Sequence, residues 1–251
     1  MHDDRKKITM YPQVKNDMMR NYIKLKRFIT TQNRIAVLLL FVLIIGTLLL
    51  FRSYRSMDIP QTIEQSNEPV HVDFYVMSKC PDAKLCETKF ADTLIKLSSI
   101  INFTVNFIAT EPKPNEFECM HGNDECTGDK QQLCVQHLAS QTVLLKFLQC
   151  QSETILNIPD NAEKCLTDTS LKYSDVKTCV DEQGNLLLHN SIQRTVASKV
   201  KNSCTMYLNN KFWCKHDGVW TNCAEGNDET SLITAICKRY TGERKSTICP
   251  T

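Results

Sequence analysis

One cysteine stands at a turn where its thiol could act as a nucleophile. Alternating apolar residues over 70–76 predict a strand, and apolar side chains at helical spacing over 90–97 predict an amphipathic helix. Cys80 lies at the tip of the turn between them, and Pro81 suits the first helical position, where no backbone N–H is needed. The helix dipole and the free N–H groups at that end favour the thiolate over the thiol. The alternative interpretation is that Cys80 is half of a structural disulfide.

The chain has thirteen cysteines, and the first of them is Cys80. Such a density indicates an oxidising compartment, and the odd number means that at least one thiol is free, reactive or joined to another chain. We assign eight cysteines to structural disulfides: Cys119, Cys126, Cys134, Cys150, Cys165, Cys179, Cys214 and Cys223. A zinc site at Cys119, His121 and Cys126 is the rival interpretation, but the second pair of ligands is missing, so we expect no metal.

The first 69 residues indicate a membrane anchor between two polar stretches. Residues 1–34 are rich in Lys and Arg and are predicted to form a disordered cytosolic tail. Residues 35–51 carry no charge and would span about 25 Å as a helix, enough for the hydrocarbon core. This segment begins late and lacks a convincing cleavage site, so we interpret it as an uncleaved transmembrane signal anchor. Residues 52–69 are interpreted as a luminal stalk.

The charge around this segment predicts the orientation of the chain. Basic residues are more numerous before residue 35 than after residue 51, so the positive-inside rule places the N-terminus in the cytosol. The expected protein is a single-pass type II membrane protein whose cysteine-rich part lies in the lumen of the ER and Golgi or of a lysosome or vacuole. The net charge of +2 is too small to argue for nucleic acid.

The rest of the chain predicts one α/β domain, residues 70–242. A second strand over about 102–109 follows the first helix, and a cysteine-rich helical insertion occupies about 111–190. Two strands joined by a tight turn lie within 204–215, a last helix ends at Gly242, and residues 243–251 form a C-terminal tail. The order is that of a thioredoxin-like fold with a disulfide-rich helical insertion, preceded by a single transmembrane helix.

Part of the insertion resembles the signature of the gamma-interferon-inducible lysosomal thiol reductase (GILT) family, C-Q-H-G-x-x-E-C-x-x-N-x-x-x-x-C. The matching residues are Cys119, His121, Gly122, Glu125, Cys126 and Cys134, whereas Met120 replaces Gln and Asp129 replaces Asn. The resemblance covers roughly residues 70–240 and is that of a divergent member of the kind found in fungi and protists, with an added N-terminal membrane anchor. It implies a thiol reductase without a cofactor.

The candidate active site departs from the family, whose reductases carry C-x-x-C. Ala83 stands where the second cysteine is expected, so the local resolving thiol is missing. Cys86 is one candidate to replace it, although a helix would place it about 9 Å from Cys80, beyond the roughly 7 Å between Cα atoms that a disulfide spans. Cys204 is the other candidate, because the resemblance is expected to place it in the loop where thioredoxin-like folds have a cis-proline facing the active-site cysteine. Cys204 is then either the resolving thiol or a standing disulfide partner of Cys80.

These residues predict an enzyme: a membrane-tethered luminal thiol oxidoreductase that reduces or exchanges protein disulfides, with Cys80 as the nucleophile. Its partners would be disulfide-containing or partly unfolded luminal proteins, a small thiol reductant, and the membrane through Ile35–Phe51. The alternative is a non-catalytic, disulfide-stabilised relative that binds polypeptide or lipid. A third reading is monothiol chemistry resolved by an external thiol. Asn102 begins an N-glycosylation sequon in the luminal part.

Overall fold

The structure, a computed structural model, describes residues 17–24, 26–27, 40, 43–48, 68–243 and 245–249. The chain divides into two units, Met1–Glu64 and Gln65–Thr251. The described residues of the first unit are helical and largely exposed. Within the described ranges, no helix combines the length and the apolar character needed to cross a membrane. The predicted anchor, residues 35–51, lies mostly outside those ranges, and so does the stalk, so both stay predictions.

The second unit begins with the predicted strand, helix and strand. They are β1 (Val70–Val76), α1 (Pro81–Lys96) and β2 (Ile101–Phe107). β1 and β2 pair in parallel, and α1 buries one face that includes Phe90 and Leu94. Phe74 of β1 meets the rings of Phe90 and Phe103 edge to face, which locks the helix onto the sheet.

The closing part of the domain is the predicted pair of strands with a short third strand and a helix. The elements are β5 (Thr205–Leu208), β6 (Lys211–Asp217), β7 (Val219–Thr221) and α6 (Glu229–Arg239). Asn209 and Asn210 have φ of 50° and 60°, the positive values that a two-residue hairpin turn requires. The five strands form one sheet in the order β2-β1-β5-β6-β7, in which only β1 and β2 are parallel.

The insertion starts with two strands that the sequence did not predict. β3 (Thr110–Lys113) and β4 (Glu116–Glu118) form a separate hairpin, followed by α2 (Asn123–Leu138), α3 (Gln141–Glu153), a 3₁₀ turn (Ile155–Asn157), α4 (Ala162–Leu166) and α5 (Tyr173–Ala197). The hairpin is mostly exposed, so it has no alternating apolar pattern. α5 also extends beyond the predicted limit near residue 190, because Ser191 and Thr195 hydrogen-bond the backbone of Phe107 at the end of β2.

Disulfides fasten the helices of the insertion and the C-terminus. Cys134 in α2 is joined to Cys179 in α5, and Cys150 in α3 to Cys165 in α4. A further disulfide, between Cys237 and Cys249, was not predicted, and it ties a short helix α7 (Lys245–Ile248) to α6. Part of the segment predicted to be a C-terminal tail is therefore a cross-linked element of the domain.

Candidate active site

Cys80 is the N-cap residue of α1, at the end of the turn that follows β1. Its backbone N–H donates to Met77 O at 2.9 Å, and its carbonyl accepts from Lys84 N at 3.1 Å. Pro81 occupies the first turn of the helix, where its missing N–H costs nothing. The Cys80 side chain makes no disulfide, and the residue is 7% exposed. The other twelve cysteines are all paired.

The two candidate resolving cysteines are joined to each other. Cys86, in the second turn of α1, forms a disulfide with Cys204, which immediately precedes β5. A standing Cys80–Cys204 disulfide, which the sequence left open, is therefore wrong for this state of the protein. Both cysteines are 0% exposed, and the Ser203–Cys204 peptide bond is cis.

Ala83 lies fully buried in the first turn of α1, three residues after Cys80. It shares the helix face of Cys80 and Cys86, because residues three apart lie on one side of a helix. A methyl group therefore occupies the place from which a C-x-x-C cysteine would reach the nucleophile.

An acidic side chain adjoins the Cys80 thiol and a histidine adjoins that acid, and neither was predicted from the sequence to have a role. Cys80 Sγ lies 3.8 Å from Asp82 Oδ2. The other oxygen, Asp82 Oδ1, lies 2.6 Å from His216 Nδ1 and accepts from Gly218 N at 2.9 Å. The buried ring of His216 is fixed in turn by an edge-to-face contact with Trp220. Thiol, carboxylate and imidazole thus form a chain of contacts from α1 to the β6–β7 turn.

The residues of the signature hold the turn that presents Cys80. The backbone N–H of Ser78 donates to Asp129 Oδ1 and that of Lys79 to Glu125 Oε2, both at 3.1 Å. Ser78 Oγ donates to the carbonyl of Glu125. Glu125 also accepts from the backbone N–H of His121 and pairs with its Nδ1. Two carboxyl side chains from the first half of α2 therefore fix the two residues that precede the nucleophile.

Burial governs the ionisation of Asp129. Loss of solvent raises the pKa of this carboxyl well above its ordinary value, although the hydrogen bonds from Ser78 oppose the shift. A neutral carboxyl can do the work of the Asn that the family signature has here, because it too carries a carbonyl oxygen that accepts from Ser78.

Gly128 lets α2 approach the turn closely. A Cβ atom at this position would lie 2.3 Å from Ile158 Cγ2 and 2.8 Å from Ser78 Oγ, so any larger residue would displace the turn. Lys79 is turned towards the insertion, where its Nζ donates to Ile158 O at 2.7 Å. This hydrogen bond links the Cys80 turn to the insertion.

The remaining sequence-predicted site residues lie away from Cys80 or have another partner. Cys119 and Cys126 are joined to each other, which removes the thiolates that a zinc site would need. Among the described residues, no cluster of three His, Cys, Asp or Glu side chains is placed to hold a metal ion. Cys214 and Cys223 form a disulfide within the β6–β7 region. Asn102 is exposed on β2, an edge strand of the sheet.

Three exposed apolar side chains belong to segments that are bonded to the Cys80 turn or to a residue next to it. Met120 is 75% exposed, Leu156 84% and Val219 64%. The Leu156 carbonyl accepts from Lys79 Nζ, and Val219 follows Gly218, whose N–H donates to Asp82. Met120 precedes His121, whose N–H donates to Glu125, the side chain that accepts from Lys79 N. Apolar surface of this kind around a reactive group is typical of a binding site for another molecule.

The part of the chain that contains Cys80 is similar to proteins named as thiol reductases. Residues 71–169 match the family model described as gamma interferon inducible lysosomal thiol reductase (GILT). A protein named gamma-interferon-inducible lysosomal thiol reductase, from Carassius auratus, is 26% identical over 196 residues, which cover 73% of this chain and 74% of that protein. GILT-like protein 1 of Drosophila melanogaster is 24% identical over 204 residues, covering 72% and 78%.

Solved structures agree on the fold. DsbA from Mycobacterium tuberculosis has a TM-score of 0.50 at 15% identity, covering 76% of this chain and 91% of its own. MdbA from Actinomyces oris, a thiol-disulfide oxidoreductase, has a TM-score of 0.50 at 10% identity, covering 69% and 82%. The predicted thioredoxin-like fold with a helical insertion is confirmed. The family match and the relatives support the GILT resemblance and an oxidoreductase that acts on sulfur groups. A fungal or protist kinship stays a prediction.

Proposed function

We propose that this chain is a GILT-type thiol oxidoreductase that reduces or exchanges protein disulfides with Cys80 as its nucleophile. The observation that carries the proposal is the state of the thirteen cysteines. Twelve are paired, and the single free thiol is the one at the N-terminus of α1, beside the sheet of a thioredoxin-like fold. A helix N-terminus favours the thiolate that thiol–disulfide exchange requires.

The first chemical step needs only this thiol. The Cys80 thiolate attacks one sulfur of a substrate disulfide, the substrate S–S bond breaks, and the second substrate sulfur leaves as a thiolate. A mixed disulfide between Cys80 and the substrate results. A second thiol must then attack that mixed disulfide to release the reduced substrate.

The proposed substrates are disulfide-containing or partly unfolded luminal proteins. Met120, Leu156 and Val219 support this class, because an unfolded chain offers apolar side chains that exposed apolar surface can bind. Extended substrates would also suit a thiol that is 7% exposed, since a flexible segment can approach a narrow opening.

A non-catalytic relative that binds polypeptide or lipid is the second candidate. Two observations favour it: Ala83 replaces the second cysteine of C-x-x-C, and the two remaining candidate thiols are joined to each other. The free state of Cys80 favours the enzyme, because a locked or vestigial site would not need to keep this thiol unpaired. Resolution by an external small thiol would allow turnover with Cys80 alone.

We also propose that the domain is luminal and tethered by the uncharged residues 35–51, with the N-terminus in the cytosol. The density of disulfides supports an oxidising lumen, in the ER and Golgi or in a lysosome or vacuole. Asn102 is exposed and its sequon would then be available to the glycosylation machinery. The full chain isolated from cells should lose mass on deglycosylation, and the Asn102→Gln variant should not. The proposal would be contradicted if Asn102 were unmodified and the domain were accessible to protease in intact vesicles.

The function is tested by reduction of insulin with the full chain and a small thiol as electron source. Cys80→Ser removes the nucleophile with little change in volume, and we expect it to abolish the accelerated reduction. The double variant Cys150→Ser/Cys165→Ser, which opens a disulfide in the insertion, serves as the control and should keep its activity if it folds. Undiminished reduction by Cys80→Ser would refute the proposal.

A further inference from the structure

Three cysteines lie around the start of α1, and they differ in how solvent reaches them. Cys80 retains 7% of its surface, whereas Cys86 and Cys204 are 0% exposed. An outside disulfide or thiol cannot contact the buried pair directly. Any electrons that enter or leave the Cys86–Cys204 bond must therefore pass through a sulfur inside the protein.

Two short routes connect Cys80 to Cys204. On one side, Cys80 N donates to Met77 O, and Met77 N donates to Ser203 Oγ, next to Cys204 in the chain. On the other side, the Cys80 thiol adjoins Asp82, which bonds His216. His216 and Cys204 then exchange both backbone hydrogen bonds, at 2.8 and 2.9 Å. The Cys80 turn and the Cys204 loop are thus held against each other by two sets of contacts.

We propose that Cys86 and Cys204, as a pair of thiols, store the two electrons that Cys80 passes to a substrate disulfide and become the Cys86–Cys204 disulfide, so that the three cysteines act as a relay. This inference rests on the proposed function. The structure then corresponds to the end of a reductive cycle, with Cys80 free and the buried pair oxidised. The relay replaces the second cysteine that is absent at Ala83.

The steps of the relay balance without a further reactant. In the loaded state all three cysteines are thiols. Cys80 then attacks the substrate and forms the mixed disulfide described above. The Cys204 thiolate attacks Cys80 Sγ, which releases the second substrate thiolate and forms Cys80–Cys204. The Cys86 thiolate then attacks Cys204 Sγ, which forms Cys86–Cys204 and frees the Cys80 thiolate. One substrate disulfide has been reduced, one protein disulfide has formed, and the two thiol protons pass to the substrate thiolates.

Reloading is the same path in reverse, driven by small thiols. Cys80 attacks Cys204, which frees Cys86, and a small thiol attacks Cys80 and frees Cys204. A second small thiol then releases Cys80 and leaves as a small-molecule disulfide. Two electrons enter the buried pair through the Cys80 sulfur.

Cys204 must act before Cys86 because of where each lies. Cys86 is six residues further along α1, about 9 Å at 1.5 Å per residue, which exceeds the span of a disulfide between helical Cα atoms. Cys204 lies on the facing loop, and its Cα is 6.5 Å from that of Cys86. It can therefore serve as the bridge between the two ends of the relay.

The test is a single turnover of the full chain, loaded with a small dithiol, freed of it, and mixed with one equivalent of insulin. Samples are quenched by alkylation, and their peptides are mapped without reduction. In the wild type we expect Cys86–Cys204 to form while Cys80 ends alkylated. Cys204→Ser should stop at about one Cys80–insulin mixed disulfide per chain, and Cys86→Ser should stop at Cys80–Cys204. The control, Cys150→Ser/Cys165→Ser, should follow the wild type.

A second measurement needs no change to the buried pair. Small thiols should reduce Cys86–Cys204 at least about tenfold more slowly in Cys80→Ser than in the wild type, because the entry sulfur is gone. Equal rates would overturn the relay, as would wild-type insulin turnover during which Cys86–Cys204 stays joined. If Cys80→Ser is inactive while Cys86→Ser and Cys204→Ser turn over normally, only the relay fails. If Cys80→Ser is fully active, the proposed function fails as well.

Discussion

Two opposite electrostatic effects act on the Cys80 thiol. The N-terminus of α1 favours the thiolate by about 0.3–1 kcal/mol, or up to about 2 kcal/mol in a partly buried geometry. The Asp82 carboxylate lies 3.8 Å from the thiol sulfur, and its negative charge repels a thiolate. The dipole and the carboxylate therefore act on the thiolate in opposite directions, and hydrogen bonds to His216 and Gly218 hold the carboxylate in place.

Asp82→Asn tests this balance. The amide keeps the size of the side chain and an oxygen that can accept from Gly218, but removes the negative charge beside Cys80. We expect alkylation of Cys80 at pH 7 to become about fivefold faster or more, the factor that about 1 kcal/mol represents. Asp92→Asn, an exposed position on the same helix, should leave the rate unchanged. A slower reaction in Asp82→Asn would mean instead that Asp82 assists removal of the thiol proton.

Local sequence patterns predicted the site residue whose position is set by its neighbours along the chain. Cys80 could be found because strand, turn, proline and helix are adjacent in sequence. Asp82 was within reach, since it follows Cys80 by two positions at a helix start. His216 and the partner of Cys86 could not be found, because their contacts span 134 and 118 residues and depend on the order of strands in the sheet.

The element that most closely supports the candidate site is the first half of α2. The family signature lies at its start, and its carboxyl groups bind the backbone of Ser78 and Lys79. The sequence showed the signature and its spacing, but not that these side chains hold the turn before Cys80. The role of Glu125 and Asp129 is visible only from their contacts with Ser78 and Lys79, which are distant in sequence.

Gly128→Ala tests whether α2 positions the turn. The new methyl would overlap Ile158 and Ser78, so we expect a loss of about 1–3 kcal/mol in the free energy of unfolding and slower reaction of Cys80 with alkylating reagents. Gly184→Ala in α5 is the matched control, because its methyl would meet only the flexible side chain of Lys130 at 3.3 Å. Denaturant unfolding and alkylation rates measure both effects. Equal behaviour of the two variants would contradict the role given to α2.

The other elements differ in how strongly local sequence patterns mark them. The β1–α1–β2 unit and the β5–β6 hairpin were predicted within one to three residues at most ends, because their apolar periodicity and turn residues are local. The β3–β4 hairpin was missed because exposed strands lack that periodicity. Cys237 and Cys249 were left unassigned, since spacing alone does not pair cysteines near a chain end.

At the scale of the whole domain, two buried carboxyl groups make stability depend on pH. Burial raises the pKa of Glu87 to about 8, and the hydrogen bond from Ser152 opposes this only in part. Burial also raises the pKa of Asp129, and the negative charges of Glu125 and Glu87 raise it further. In the unfolded chain a glutamate has a pKa near 4.5.

The sign of the effect follows from proton uptake. Between pH 4.5 and 8 the folded state binds more protons than the unfolded state, so the stabilisation is complete below pH 4.5 and is lost as the pH rises towards 8. We expect the free energy of unfolding to fall by on the order of 3–5 kcal/mol from pH 5 to pH 8. Glu87→Gln, which keeps the volume and removes the titration, should flatten that slope, whereas Asp92→Asn should not. A slope that is unchanged in Glu87→Gln would contradict the assignment.

A fold that is most stable in acid would suit the acidic end of the secretory pathway, which agrees with the proposed lysosomal or vacuolar location. Six disulfides also stabilise the fold there, because they restrict the unfolded chain and oxidising conditions keep them formed. One of the six, Cys86–Cys204, includes a cysteine of α1, the helix that the candidate nucleophile caps.

The most direct test of the central claim is to treat the native full chain with iodoacetamide, without any reductant, and to identify the modified cysteine by peptide mapping. The account predicts rapid modification of Cys80 alone, with loss of insulin reduction in proportion to the modified fraction, because Cys80 is the single free thiol and the nucleophile. No modification of Cys80 in the folded protein, or full activity after its complete modification, would contradict the claim.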